Sequence, residues 1–167
     1  MSKKKAKVSK TLVEKMLDQQ KISYESIVAP TVKDGDVESL DTTNFPEHET
    51  TVYKTLVLKG TENPVLVGVV PLDKHLSYKK LRQLSGDKKV HLLPLKDLEK
   101  TTGYVHGANT PIGIYEKLKV PIFYDQQAES EDEIIVSAGK VGRSVKIKVS
   151  DLIPITAGQF GDIAEDK

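Results

Sequence analysis

The sequence predicts a single α+β domain built on a mixed, strongly bent sheet. Its 167 residues fit one hydrophobic core of ordinary size. Short apolar runs, which are typical of strands, outnumber the segments with helical periodicity. No regular strand–helix–strand repeat is evident, and chains of this kind usually form a mixed rather than a doubly wound parallel sheet.

The N-terminal part predicts one helix and one strand. Thr11 and Glu14 have capping-box spacing, and apolar residues recur behind them at helical intervals, so we expect a helix over residues 10–20. Residues 1–9 contain four lysines and should form a flexible basic arm. Residues 22–28 have the composition of a short strand.

The next part predicts an excursion followed by a hairpin. Residues 30–49 are acidic and rich in turn formers, so we expect an irregular segment with a helical turn. Residues 55–60 and 64–71 are apolar runs joined by Gly60-Thr-Glu-Asn63, a pattern that favours a β-hairpin. The second run is apolar almost throughout, so its strand should be buried on both faces.

Residues 77–103 predict two short helices separated by a strand. Ser77 can cap the first helix, and Gly86 can end it. A strand is expected over residues 90–93. Leucines at helical spacing predict the second helix, which should end at Gly103.

The C-terminal part predicts a loop followed by three strands. Residues 103–113 hold three glycines and a proline, so a loop with unusual backbone angles is expected. The strands are expected at residues 120–124, 134–138 and 144–149.

Composition excludes several classes of protein. Hydrophobic residues make up 38% and charged residues 29% of the chain, which suits a globular core and not a membrane protein. No segment has the apolar length of a signal peptide or a membrane span, so we expect a cytoplasmic protein with no membrane partner. The absence of cysteine excludes disulfides, thiolate metal sites and cysteine nucleophiles.

Charge is unevenly distributed along the chain. The formal net charge of +1 is too small for a protein that holds nucleic acid by itself. Residues 1–15 and 74–90 are basic, whereas residues 31–50 and 129–133 are acidic. A basic surface can therefore lie beside an acidic one, although ordinary solvated faces are the simpler explanation of each segment alone.

Common catalytic and metal-binding motifs are absent. The four histidines share no local spacing and have no cysteine partners, so no metal is expected. The GxSxG, Walker A and GxGxxG patterns are missing as well. The sequence therefore gives no support to acyl-serine hydrolases, nucleoside triphosphatases or dinucleotide enzymes, and we expect no cofactor.

Three features remain as candidates for chemistry. Lys54 begins an apolar strand, where its ammonium can enter a cleft and bind a carbonyl or phosphate, or simply reach water beside a packed stem. Ser137 lies inside an apolar strand and can bind a ligand or a neighbouring backbone group. The 103–113 loop, which contains His106, is the stronger candidate, because glycines let a ligand approach the backbone; a tight structural connection is its alternative.

In these segments the sequence resembles the YbaK family of aminoacyl-tRNA editing domains, which stand alone or are associated with prolyl-tRNA synthetase. The matching pieces are Val52-Tyr-Lys-Thr-Leu56, the apolar run 64–71, Thr102-Gly-Tyr-Val-His-Gly107, Thr110-Pro-Ile-Gly113 and Val136-Ser-Ala-Gly-Lys-Val-Gly142. They occur in the order typical of the family and cover most of residues 10–163, which we expect to form the domain.

The resemblance implies a bent mixed sheet of six or seven strands with flanking helices, and cleavage of a mischarged aminoacyl-tRNA ester. Three residues match the catalytic positions of the family: Lys54 as substrate anchor, Gly107 as the loop glycine whose backbone lines the ester, and Ser137 as a polar contact. The residues expected to bind substrate around them are Tyr53, His106, Ala108, Asn109 and Thr110. Because an aminoacyl ester is already activated, placement and oxyanion stabilisation can suffice without an enzyme nucleophile.

The expected function is therefore that of a trans-editing deacylase. Cys-tRNA(Pro) is the first choice of substrate, and prolyl-tRNA synthetase is the expected partner. One alternative is an Ala-tRNA(Pro) deacylase. The other is a non-catalytic module of the same fold that regulates, or binds tRNA or a synthetase. This second alternative is motivated by Gly107-Ala-Asn-Thr-Pro111, where relatives usually have Gly-Gly-x-Ser-Pro, because the extra methyl and amide groups can narrow the pocket.

Overall fold

The computed structural model describes residues 9–28, 31–34, 37–40 and 50–167. Within these ranges, five helices and twelve strands are mixed along the chain, which confirms the predicted α+β class. The helices are α1 Leu12–Gln19, α2 Tyr78–Ser85, α3 Leu95–Thr102, α4 Pro111–Leu118 and α5 Val149–Thr156. The strands are β1 Tyr24–Val28, β2 Thr31–Asp34, β3 Val37–Leu40, β4 Tyr53–Gly60, β5 Leu66–Pro71, β6 Lys74–Leu76, β7 Val90–Leu92, β8 Ile122–Asp125, β9 Glu133–Lys140, β10 Arg143–Lys148, β11 Gln159–Gly161 and β12 Ala164–Asp166.

The central element is a mixed five-stranded sheet in the order β11-β8-β5-β4-β7. β4 and β5 form the predicted antiparallel hairpin, whereas β5 and β8 are parallel. All six residues of β5 are buried, as predicted. Val67 and Val69 pack into one hydrophobic cluster, and Leu66 and Val70 pack into a second cluster, so the strand is covered on both faces.

A three-stranded antiparallel sheet, in the order β1-β10-β9, lies beside the central sheet. The two sheets are joined by a parallel bridge between Val52 and Ile135, where the Ile135 amide donates to the Thr51 carbonyl at 3.0 Å. Two further pairs, β12-β6 and β2-β3, complete the described strands. The strands are thus divided among several sheets, whereas the resemblance implied one sheet of six or seven.

The predicted helix ends agree with the structure. Both hydrogen bonds of the capping box between Thr11 and Glu14 are present at the start of α1. Ser77 caps α2 by accepting from the Lys80 amide, and Gly86 ends that helix with φ +84°. Gly103 ends α3 with φ +85°. In both positions glycine adopts a left-handed backbone conformation, which is unfavourable for other residues.

The prediction for residues 30–49 was wrong where the structure describes them. β2 and β3 form an antiparallel pair in which Thr31 lies opposite Leu40. The sequence between them contains Asp34-Gly35, a hairpin signal that the acidic composition of the segment obscured. Residues 41–49 lie outside the described residues, as do residues 1–8 of the predicted arm.

The predicted loop over residues 103–113 is shorter in the structure, because residues 111–113 form the first turn of α4. Pro111 suits that position, since its fixed φ is helical and its missing amide needs no partner there. Gly113 is required for packing rather than for a loop. A Cβ at this position would lie 1.9 Å from the Tyr104 hydroxyl.

Helix α5 was also missed by the sequence prediction. It starts directly after β10 and contains Pro154, and proline is unfavourable in the interior of a helix. None of the helices in the described residues is long and apolar enough to cross a membrane.

Candidate functional site

A cavity of about 670 Å³ opens beside β4 and is bounded by β9, α3 and the loop that precedes α4. Its lining residues are Val52, Tyr53, Lys54, Thr55, Leu56, Val57, Leu72, Leu92, Leu93, Pro94, Leu95, Leu98, His106, Gly107, Asn109, Ser137, Gly142, Arg143 and Ser144. Six of the eight site residues predicted from the sequence are among them. Ala108 and Thr110 are not.

Lys54 and Ser137 are brought together by the bridge between the two sheets. The bridge pairs Val52 with Ile135 in parallel orientation, so the two strands leave it in the same direction. Lys54 and Ser137 are each two residues beyond the bridge, and both line the cavity. Because side chains alternate along a strand, they lie on the same face as the bridged residues.

The Lys54 ammonium is half-buried and available to a ligand. Burial lowers the pKa of Lys54 below its ordinary value, and the nearby charge of Lys167 lowers it further, while Asp73 opposes the shift. No carboxylate forms an ion pair with Lys54 among the described residues. A lysine that is partly desolvated and unpaired can stabilise negative charge on a substrate more strongly than one in water.

Ser137 anchors the glycine-rich loop to β9. Its hydroxyl donates to the Ala108 carbonyl at 3.1 Å and accepts from the Gly139 amide at 3.1 Å. The only proton of the hydroxyl is therefore engaged, and Ser137 can offer a ligand only an acceptor lone pair.

The loop presents its backbone to the cavity at Gly107, which has φ +88°. The neighbouring Ala108 is 1% exposed, and its methyl is buried away from the cavity. The Asn109 amide accepts from the Thr102 hydroxyl at 2.9 Å and donates to the Val105 carbonyl at 3.3 Å. The groups that differ from the usual family pattern are thus packed or hydrogen-bonded within the protein.

Two other predicted site residues, Thr110 and Tyr53, are buried within the protein. Thr110 is fully buried at the N-cap position of α4, and its hydroxyl has no partner among the described residues. Tyr53 is among the cavity-lining residues, and its hydroxyl donates to Glu131. Burial and this hydrogen bond raise the pKa of Tyr53, so the phenol remains protonated and is committed to Glu131.

Arg143 was not identified from the sequence. It lines the cavity and donates from Nη2 to Glu14 Oε1 at 2.9 Å and from Nη1 to the Ser9 carbonyl at 3.0 Å. Glu14 is fully buried, so its charge is balanced by this contact. The two residues are 129 positions apart, and no local pattern signals their pairing.

An apolar wall was also not identified. Leu92, Leu93, Pro94, Leu95 and Leu98 line the side of the cavity formed by the end of β7 and the start of α3. The sequence prediction assigned them only to secondary structure. The sequence signal was the unbroken run of apolar residues 92–95, which continues through the connection between the two elements, where polar residues are usual.

The lining residues can bind a substrate and stabilise negative charge that develops on it. They include no carboxylate among the described residues, so a pair of catalytic acids is excluded there. They supply one unpaired cation, a serine acceptor, loop backbone and an apolar wall. No group of three histidines, aspartates or glutamates that could hold a metal occurs in the described part of the chain.

Comparison with known sequences gives two matches that cover most of the chain. A family model described as the aminoacyl-tRNA editing domain matches residues 36–155. A protein of Enterococcus faecalis, named "Putative Cys-tRNA(Pro)/Cys-tRNA(Cys) deacylase EbsC", is 36% identical over 163 residues, which are 98% of each chain.

Comparison with solved structures supports the fold. The crystal structure of a hypothetical protein has a TM-score of 0.75 at 18% identity and covers 92% of this chain and 99% of its own. A structure described as "a putative trans-editing enzyme for prolyl tRNA synthetase" has a TM-score of 0.68 at 17% identity and covers 85% and 87%. At these identities the structures establish a shared fold alone.

Proposed function

The chain belongs to the family of aminoacyl-tRNA editing domains, and on this premise we propose that it is a trans-acting deacylase of mischarged aminoacyl-tRNA, with Cys-tRNA(Pro) as its first substrate. The observation that carries the proposal is the convergence of Lys54, Ser137 and the Gly107 backbone on one cavity. The E. faecalis relative, whose name specifies cysteinyl-tRNAs, supports the choice of cysteine.

In the proposed reaction, the ester carbonyl lies between the Lys54 ammonium and the loop backbone at Gly107. Attack on the carbonyl carbon places negative charge on its oxygen, which a preorganised cation and backbone dipoles stabilise. The Ser137 oxygen can accept a hydrogen bond from the α-ammonium of the aminoacyl group or from a ribose hydroxyl. The ester bond then breaks, and the terminal ribose oxygen leaves as a hydroxyl group, taking up the proton that the attacking water or thiol releases.

The nucleophile in this reaction comes from outside the protein. The described lining residues include no cysteine and no serine paired with a histidine base. A water molecule can attack the carbonyl, and in a cysteinyl ester the thiol of the substrate can attack it instead. The protein then contributes by holding the ester in place and excluding bulk water.

An Ala-tRNA(Pro) deacylase is the alternative enzyme, because alanine is smaller than cysteine and presents the same α-ammonium and ester groups to the cavity. The non-catalytic alternative is less well supported. It was motivated by the substituted loop apex, but the Ala108 methyl does not line the cavity, and Asn109 is hydrogen-bonded to Thr102 and Val105. Both observations favour a cavity that remains accessible.

We further propose that the 3′ end of the aminoacyl-tRNA is delivered by prolyl-tRNA synthetase and that the reaction takes place in the cytoplasm. The formal net charge of +1 favours a protein that depends on a partner to hold tRNA. The structure described as a trans-editing enzyme for prolyl tRNA synthetase, which has the same fold, is consistent with such a partner.

The test is a deacylation panel with the purified full chain. Labelled Cys-tRNA(Pro), Ala-tRNA(Pro), Cys-tRNA(Cys) and correctly charged Pro-tRNA(Pro) are incubated with the protein, with and without prolyl-tRNA synthetase. We expect fastest release from Cys-tRNA(Pro) and none above the spontaneous rate from Pro-tRNA(Pro). Faster release of alanine would favour the alternative enzyme, and no release from any substrate would contradict the deacylase.

A further inference from the structure

The apolar wall of the cavity takes no part in the chemistry proposed above. We call Leu92, Leu93, Pro94, Leu95 and Leu98 the leucine shelf. Leu95 and Leu92 are 64% and 44% exposed, and both line the cavity. Large apolar side chains that are exposed together beside a cavity usually mark a ligand-binding surface.

The leucine shelf is held firmly to the central sheet. The Leu93 amide donates to the Val57 carbonyl at 2.9 Å, and β7 pairs with β4 at Leu58 and Leu92. Leu98, one turn into α3, is 7% exposed and anchors the helix in the main hydrophobic cluster. The shelf is therefore a preformed part of the cavity rather than a loose segment.

The cavity is large enough to hold a ligand larger than an amino acid. A volume of about 670 Å³ lies within the range of roughly 300 to 1,000 Å³ typical of sites that enclose a whole small-molecule ligand. A cysteinyl or alanyl group fills only a small part of it. If the ester lies at Lys54 and Gly107, the space along the shelf is left for the group on the other side of the ester bond.

We propose that the leucine shelf binds the face of the adenine base of the terminal adenosine of the aminoacyl-tRNA. This proposal rests on the proposed function, in which that adenosine carries the ester. A nucleobase has two flat faces of low polarity, which an apolar surface can cover, and the shelf side chains have no polar group with which to read its edges. The shelf therefore positions the nucleoside without selecting which base it carries.

The charges around the cavity are compatible with this occupant. The charged lining residues within the described ranges are Lys54 and Arg143, and no acidic side chain is present to repel the phosphate of the terminal nucleotide. The lining therefore leaves the Lys54 cation for the ester and an apolar surface for the flat base of the nucleotide.

The proposal is tested by equilibrium binding of non-hydrolysable amide analogues to the full chain. One analogue carries the aminoacyl amide on 3′-amino-3′-deoxyadenosine, and the other carries it on the same ribose without the base. The variants are Leu95→Ser and Leu92→Thr. Leu12→Ser is the matched control, because Leu12 is also the first residue of an eight-residue helix, is 69% exposed and does not line the cavity.

We expect the wild-type protein to bind the adenosine analogue about tenfold more tightly than the base-free analogue. Each shelf variant should lose most of this difference, while binding of the base-free analogue and the melting temperature stay unchanged. Leu12→Ser should behave as the wild type. An analogue with guanine in place of adenine should bind similarly, because the shelf does not read base edges.

Two results would overturn the proposal. Equal affinity of the wild type for both analogues would show that the base is not bound. Weaker binding of the base-free analogue by Leu95→Ser would show that the shelf holds the aminoacyl group instead. Because the readout is binding, base-dependent affinity without deacylation of any substrate would contradict the proposed function and leave the shelf assignment intact.

Discussion

Among individual residues, Lys54 has the largest predicted effect on catalysis. Replacing Lys54 with alanine removes a lining cation that has no ion-pair partner among the described residues, and we expect kcat/KM for deacylation to fall by about 100-fold or more. Lys59→Ala is the matched control, since Lys59 is an exposed lysine of the same strand that does not line the cavity. Activity of Lys54→Ala within a factor of two of the wild type, with a normal melting curve, would remove Lys54 from the site.

The lowered pKa of Lys54 predicts a pH dependence. Only the protonated amine carries the charge that stabilises the substrate, so activity should be lost as pH rises through the pKa of Lys54. Because burial and Lys167 lower that pKa, the loss should occur below the ordinary lysine value of 10.5. Rates corrected for spontaneous ester hydrolysis would show it.

Two variants test the assignment of this pH dependence. Lys54→Ala should lack the decline, and Lys167→Ala should move it to higher pH because one neighbouring positive charge is removed. A decline at the same pH in Lys54→Ala would assign it to another group.

Ser137→Ala should reduce activity less than Lys54→Ala does. The change removes a neutral hydrogen bond to the Ala108 carbonyl, and such bonds contribute on the order of 1 kcal/mol, or about fivefold in rate. Steady-state kinetics on the same substrate would rank the two variants. A larger loss for Ser137→Ala would mean that loop position, rather than the cation, limits the reaction.

The sequence predicted cavity residues where a local pattern marks them. Lys54, Gly107 and Ser137 lie within motifs, and all three line the cavity. Arg143 could not be found, because its role depends on Glu14 and Ser9, far away in the sequence. The leucine shelf was missed for a different reason. Apolar residues in short elements usually belong to the core, and only the structure shows that Leu95 is exposed beside the cavity.

At the level of elements, Asp87, which follows α2, forms hydrogen bonds with the turn between β4 and β5. Its buried carboxylate accepts from the Asn63 amide at 2.9 Å, from Asn63 Nδ2 at 2.9 Å and from the Ser85 hydroxyl at 2.6 Å. Burial alone would raise the pKa of Asp87, but these hydrogen bonds, together with one from the Glu62 amide, lower it to about 2.

Asp87→Asn should therefore destabilise the hairpin. A carboxyl group with a pKa of 3.8 when unfolded and about 2 when folded stabilises the protein above pH 4, and this contribution is lost as pH falls toward 2. We expect the free energy of unfolding at pH 7 to fall by about 2 kcal/mol, measured by urea denaturation. The difference between variant and wild type should shrink at pH 3, and a constant difference would contradict the electrostatic explanation.

Helices were predicted best where at least one end carries a local signal. α1, α2 and α3 each have a side-chain cap, a glycine end or both within the segment. α4 was hidden because Pro111 and Gly113 resemble loop residues, and the reason for Gly113 is the distant packing of Tyr104. The bridge between Val52 and Ile135 was equally inaccessible, since pairing between strands about 80 residues apart leaves no local pattern.

Across the whole molecule, the balance of charge predicts how strongly tRNA can be bound without a partner. The chain has 25 basic and 24 acidic residues, so few phosphates can be neutralised without a local concentration of lysines. Residues 1–7 contain four lysines and no acid. The structure describes the chain from Ser9, whose carbonyl accepts from Arg143, a residue of the cavity wall. The described part of the chain therefore begins next to the proposed site.

Removal of residues 1–7 should weaken tRNA binding without changing the chemistry. The deletion takes the formal net charge from +1 to −3, and we expect tRNA affinity at low salt to fall by about three- to tenfold, with a shallower salt dependence. Hydrolysis of a minimal aminoacyl-adenosine should be unchanged, because the cavity-lining residues in the described part of the chain begin at Val52. Replacing the same four lysines with glutamine keeps the chain length and should reproduce the loss. An equal loss of activity on tRNA and on the minimal substrate would place the segment in the active site. Tight binding of tRNA(Pro) by the deletion variant at physiological salt would show that the folded domain holds its substrate without the arm and without a synthetase.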